Sequence, residues 1–147
     1  MKKQLERLKD MHQEILEHHA SAHYQEVMPF PDIDMSVDVN LYLNADERGL
    51  LRTYTLRRDS GELVGYCIVD LSQSILSSGS TQAVVQMIYI QPKCRAAGFA
   101  FVVWVDEQLR LEKVEVVYHQ VSTLRDYSPL LQRLGYQLIQ LTFARRF

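Results

Sequence analysis

Cysteine, proline, glycine and net charge are all scarce in this chain, and each scarcity excludes something. Neither of the two cysteines, Cys67 and Cys94, belongs to a metal-type Cys pair, and a chain this long can bury a core without a bridge between them. Six glycines and four prolines form no low-complexity tract and no linker. A formal net charge of -2 gives no global field that would draw in nucleic acid. Apolar runs stay short of the roughly 18 residues that suggest a membrane span, so no membrane partner is expected. After the basic Met1-Lys2-Lys3, the polar stretch Gln4 to Lys9 stands where a signal peptide carries its apolar segment. The expected location is therefore the cytoplasm.

What is present is ordinary for a soluble globular protein: 147 residues, 47% apolar and 23% charged. That length fits a single domain over residues 1–147. Leu5, Leu8, His12, Ile15, Leu16 and His19 recur at spacings of three and four, which predicts an amphipathic helix of about five turns. Pro29 and Pro31 predict an irregular connection, followed by a short helical or loop segment through Leu43 and Asp46. Alternation predicts a strand over Leu50–Leu56, and after the tight turn Asp59-Ser60-Gly61 the stretch Leu63–Leu71 reads as the returning strand. A second turn, Ser77 to Ser80, precedes the nearly continuous apolar run Ala83–Ile90, the pattern of a strand covered on both faces. Pro92 stops it. Arg95 to Ala100 reads as a small-residue loop, Phe101–Lys113 as a helix and Val114–Val121 as a strand. Ser122–Leu134 reads as a helix stopped by Gly135, and Tyr136–Ala144 as a last strand. This order describes an α/β chain with a mixed sheet.

The stretch Ile88-Tyr89-Ile90-Gln91-Pro92-Lys93-Cys94-Arg95-Ala96-Ala97-Gly98-Phe99-Ala100 carries the most chemistry. A buried strand ends, a turn of small residues follows, and a helix begins. The first amides of a helix lack acceptors and its dipole favours negative charge, so this place suits a phosphate. The spacing Arg95-x-x-Gly98-x-Ala100 resembles the Arg/Gln-x-x-Gly-x-Gly/Ala signature with which GNAT acetyltransferases hold the pyrophosphate of coenzyme A. Gly61-Glu62-Leu63-Val64-Gly65-Tyr66 is similar to the hairpin and third strand of that family, and Tyr127 to Tyr136 to its last helix and Leu-Gly-Tyr stop. His23-Tyr24-x-Glu26, Tyr118-His119-x-Val121 and the Phe143 to Phe147 region resemble GNAT proteins of tailed bacteriophages. The likeness spans roughly residues 20 to 147.

The resemblance implies a sandwich-like α+β fold with six to seven strands, about four helices, and fourth and fifth strands that splay apart. It implies acetyl-CoA as co-substrate, no metal, and an amine acceptor, on a small molecule or a protein, that attacks the thioester directly. By the same match, the backbone of Ile88 and Ile90 holds the pantetheine arm, and the Ile90 amide polarises the thioester carbonyl. Backbone amides of Arg95, Ala96, Ala97, Gly98, Phe99 and Ala100 receive the pyrophosphate. A homodimer is compatible with this.

Several positions depart from the family pattern. Ala96 and Ala97 supply no charge where many members carry Lys or Arg. Leu131 occupies the position of the usual tyrosine acid, and Tyr127, one turn earlier, either replaces it or simply packs. Strand alternation places Gln86 and Val84 on the face of Ile88 and Ile90, and neither is a useful base. His119 on the fifth strand is then the candidate base, or else a core histidine. Glu26 and His23 are further candidates. His12, His18, His19 and His23 cluster, with helical ligand spacing between the last two, but lack a third ligand type and read as a solvated helix face rather than a metal site. Arg145-Arg146 is too short for a nucleic-acid patch, and Trp104 reads as core. A GNAT-shaped protein that grips another protein without turnover is the rival reading.

Overall fold

The computed structural model describes residues 1–74 and 78–147. The chain order is β1 (Lys2–Glu6), α1 (Leu8–His18), α2 (Ala20–Val27), α3 (Val39–Glu47), β2 (Leu51–Arg57), β3 (Leu63–Gln73), β4 (Thr81–Ile90), a 3₁₀ segment (Pro92–Ala97), α4 (Gly98–Leu111), β5 (Val116–His119) and α5 (Ser128–Arg133). The five strands form one sheet in sequence order. β1 to β4 run antiparallel, and β5 joins β4 in parallel. Part of the expected turn, Ser77, lies outside the described residues, while Gly79 turns with φ 90°.

Two apolar layers sandwich the sheet. On one side α4 lays Phe101, Val105 and Leu109, at spacings of four, against Tyr54, Val64, Cys67, Val69, Ala83, Val85 and Ile90. Trp104 packs at the margin of this layer, stacked on Phe101 with centroids 6.3 Å apart. On the other side α1 and α2 lay Leu8, Met11, Ile15 and Ala20 against Leu51, Leu63, Tyr66, Ile68 and Tyr89. Fully burying a side chain such as Phe101 stabilises by about 1.5–3 kcal/mol.

The first five residues are not helical. The helix-forming Lys2–Glu6 is drawn into an edge strand because β2 offers it an unpaired ladder, with Glu6 opposite Thr53. Arg57, on β2, then binds Glu6 at 2.8 Å and Glu14 of α1 at 2.9 Å, tying strand, sheet and helix together. The expected long helix also breaks at His19 (φ -131°), giving α1 and α2.

Among the described residues the sheet has five strands rather than six or seven, and there are five α-helices rather than about four. The expected last strand, Tyr136–Ala144, pairs with nothing among the described residues; Leu138, Ile139, Leu141 and Phe143 are exposed. Strand propensity alone does not make a strand without a ladder to join. The helix expected from Ser122 begins only at Ser128, because Pro129 fits a first turn and the preceding residues turn instead. Gly135 (φ 90°) does end it, with the Tyr136 amide donating back to the Leu131 carbonyl at 3.0 Å.

Candidate functional site

β4 is bulged. Ile68 of β3 faces Met87, yet its neighbour Val69 faces Val85, so Gln86 is one residue extra. Ala83 and Val85 therefore share the α4 face with Ile88 and Ile90, while Met87 and Tyr89 belong to the α1–α2 face. This corrects the alternation expected from sequence. Gln86 does not sit with Ile88 and Ile90; beside Met87 it lines a cavity on the other side of the sheet.

The bulge coincides with the end of a ladder. β4 pairs with β5 only from Gln82↔Val116 to Val85↔His119. From Gln86 onward the two strands are unpaired, which leaves a gap in the sheet. The Gln91 amide donates to the Val64 carbonyl at 2.8 Å. Antiparallel ladders alternate between bonded and non-bonded pairs, so Ile88 and Ile90 turn their backbone groups away from β3 and toward the gap. Gly65, opposite Ile90, has no room for a Cβ: one would lie 2.9 Å from the Tyr89 carbonyl oxygen.

The segment after β4 is wound rather than open. Pro92–Ala97 forms a 3₁₀ turn that runs into α4, where a loose loop was expected. The Cys94 amide donates to the Gln91 carbonyl at 2.8 Å and the Gly98 amide to the Arg95 carbonyl, so these donors are committed. Ala96 and Ala97 explain the winding, since both tolerate helical backbone where glycine would favour other angles. Phe99 and Ala100 follow in the first turn of α4, where an α-helix does not itself satisfy its amides.

Arg95 folds back over this segment. Its Nε donates to the Ile90 carbonyl at 3.2 Å, and its guanidinium pairs with Glu26 of α2. The other Glu26 oxygen lies 3.8 Å from Arg125. Glu26 thus links the chain after β4 to the chain after β5. Ser122, donating to the Val27 carbonyl at 3.0 Å, pins the same helix end. Glu26 is engaged in ion pairs and is not poised as a free base.

His119, at the C-terminal end of β5, meets Tyr127 just before α5: Nδ1 and the hydroxyl share a hydrogen bond of 3.2 Å. The edge of Tyr136 packs against the imidazole at 5.0 Å. The His119 Nε2 is shut off from solvent and has no partner among the described residues. Burial lowers the imidazole pKa to about 4, so it is neutral at physiological pH, and burial raises that of the Tyr127 hydroxyl. A neutral imidazole beside a protonated phenol can hold and pass a proton.

His19 and His23 are buried, contrary to the solvated helix face expected. His19 Nε2 lies 3.0 Å from the Leu63 carbonyl, and His23 Nδ1 shares a 2.7 Å hydrogen bond with Tyr66. His23 also stacks on Tyr89 at 5.3 Å. Burial lowers the pKa of both histidines. No group of three metal-ligating side chains occurs among the described residues. Tyr66 and Tyr89 are functional candidates that sequence reasoning missed. Their only signal was a phenol repeated on the inward period of two apolar strands.

No helix of the described residues is long and apolar enough to cross a membrane. No family model and no curated protein matches the chain. Solved structures do. A tetramutant protein from Bacillus halodurans is 13% identical, with a TM-score of 0.77 and 100% of both chains covered. A ribosomal-protein-alanine N-acetyltransferase from Brucella melitensis biovar Abortus 2308 is 16% identical, with a TM-score of 0.70 and 100% of both chains covered. An aminoglycoside acetyltransferase from an uncultured soil metagenomic sample, in complex with trehalose, is 11% identical, with a TM-score of 0.69, covering 99% of this chain and 96% of that one. What this chain shares with them is the fold, along its whole length.

Proposed function

We propose that this chain is an acetyl-CoA-dependent N-acetyltransferase of the GNAT type, acting in the cytoplasm on an amine acceptor. The observation that carries the reading is the gap opened after Val85↔His119, into which Ile88 and Ile90 turn their backbone groups and beyond which α4 begins. An extended, amide-bearing arm fits such a gap as a surrogate strand, because β5 no longer supplies a ladder there; of the groups turned toward the gap, the Ile90 carbonyl is already taken by Arg95 Nε. That acetyltransferases share the fold supports the same reading.

Acetyl-CoA, when bound, supplies an acyl group whose C–S bond breaks as the C–N bond forms; the proton that nitrogen loses balances the one sulfur gains. The residues of the chain do the rest. Ile88 and Ile90 hold the arm through backbone hydrogen bonds, and the Ile90 amide faces the carbonyl oxygen. Phe99 and Ala100 present the first α4 turn to the phosphates. The small side chains of Ala96, Ala97 and Gly98 keep the approach clear, and Arg95 adds charge once it leaves Glu26. Tyr127 gives a proton to the leaving sulfur, and His119 positions its hydroxyl.

The test is a thermal shift of the full chain with acetyl-CoA. At 100 times its dissociation constant the ligand stabilises by about 2.7 kcal/mol. An unchanged melting temperature at millimolar acetyl-CoA and CoA overturns the reading. The rival, a protein of this shape that binds a partner without turnover, draws on the committed amides and the Arg95–Glu26 pair. It predicts a partner complex indifferent to Gly98→Glu and no thiol release with any amine.

A further inference from the structure

On the α1–α2 side of the sheet lies a cavity of about 250 Å³, open to solvent on one side and lined by α1, α2, α3 and the bulged part of β4. Its walls are apolar: Leu8 and Ile15 of α1, Ala20 and Val27 of α2, Ile68 of β3 and Met87 of β4. Among the described residues no Asp, Glu, Lys or Arg lines it. The polar side chains that do are those of His12, His23, Tyr24, Tyr42, Tyr66 and Gln86. Two of them, His23 and Tyr66, are spent on each other at 2.7 Å. An enclosed cavity of about 150 Å³ already admits benzene, so this one has room for an aromatic ring. Drug-sized ligands need about 300–1,000 Å³, so the occupant is small.

We infer that this cavity binds the apolar body of a small monoamine, an arylalkyl- or alkylamine, with the nitrogen at the Gln86 end. Gln86 fixes that orientation. It is the bulged residue, its side chain lines the cavity, and it follows directly on Val85, where the β4–β5 ladder stops and the gap begins. Its amide oxygen accepts a hydrogen bond from an ammonium or amine, whereas no carboxylate lines the rest of the cavity to offset a second charge. A polyamine or an aminosugar, with several ammonium groups, leaves at least one of them buried without a counter-charge. The nearby carboxylate of Glu26 does not help, since it is held by Arg95 and Arg125. As the acceptor site this rests on the transfer reading above; as a binding site it stands on the cavity alone.

Calorimetry on the full chain without acetyl-CoA tests it, with phenethylamine and spermidine as probes. Phenethylamine is expected to bind at least tenfold tighter than spermidine. Ala20→Phe, which fills the cavity, is expected to weaken phenethylamine at least tenfold. Val39→Trp closes the same space from α3 should Ala20→Phe fail to fold. Equal or tighter binding of spermidine, no binding of phenethylamine, or undiminished binding in a folded filled variant overturns the assignment. Thiol release with acetyl-CoA is then read separately. Phenethylamine that binds, with no thiol released from it or from spermidine, leaves the cavity as assigned and removes the transfer reading. Release with spermidine but not phenethylamine keeps the transfer and removes the cavity as its acceptor site.

Discussion

The Tyr127 hydroxyl lies 3.2 Å from His119 Nδ1, just past the point where β5 parts from β4. Tyr127→Phe keeps the ring packing and removes the hydroxyl that meets His119, while the Tyr136 hydroxyl nearby is spent on Asp106. Under the transfer reading it lowers kcat by about 10²-fold or more, the range of general acid catalysis, with KM for acetyl-CoA little changed. A purely structural hydroxyl would instead show only a lower melting temperature, from a loss of about 1 kcal/mol.

Stability should fall as pH drops below neutrality. His119 is held near a pKa of about 4 by burial, against 6.5 when free, so the unfolded chain takes up the extra proton first. The stabilisation is complete above pH 6.5 and drains away toward pH 4. Between pH 7 and pH 5 this one residue contributes a loss of about 2 kcal/mol, and buried His19 and His23 act in the same direction. Melting temperatures across that window check it, and His119→Phe should flatten the slope.

Gly65→Ala should destabilise by about 1–3 kcal/mol and disturb the cleft as well. The added methyl would meet the Tyr89 carbonyl at 2.9 Å and the Ile90 side chain at 3.0 Å, and a backbone carbonyl cannot swing aside. Denaturant unfolding gives the stability. A weakened acetyl-CoA thermal shift, beyond what the lost stability explains, gives the displacement of Ile90.

Much of the scaffold could be read directly from residue order. β2 announced itself by alternation and β4 by its nearly continuous apolar run, Pro92 ended a strand and Gly135 ended a helix. β1 could not be read, because Lys, Gln, Leu and Glu favour helix and only the free edge of β2 makes them extended. The bulge was equally hidden: in Val84-Val85-Gln86-Met87-Ile88 nothing marks which residue is extra until β3 is laid beside it. The reverse error befell Tyr136–Ala144, whose composition suits a strand that finds no ladder. Within the site, His119 and Tyr127 were singled out separately, and their contact depends on how far the chain turns before Ser128. The burial of His23 against Tyr66 depended on register between elements more than forty residues apart.

Glu26→Gln should tighten acetyl-CoA binding, and Arg95→Gln should loosen it. In the free protein the Arg95 guanidinium is occupied by Glu26 and must be released before it can meet a phosphate. Removing that competitor is expected to lower Kd by about tenfold, the worth of roughly 1.4 kcal/mol. Titration by calorimetry measures both variants. Unchanged affinity in each would place the phosphates elsewhere on the surface.

One carboxylate shared between Arg95 and Arg125 has a kinetic side. Beyond that pair and its shared anion, the Arg133 guanidinium lies over the Phe99 ring at 5.3 Å, beside the first turn of α4, so positive charge there exceeds what Glu26 offsets. Encounter with a polyanion is thus helped by long-range attraction, and its association rate should fall as ionic strength rises.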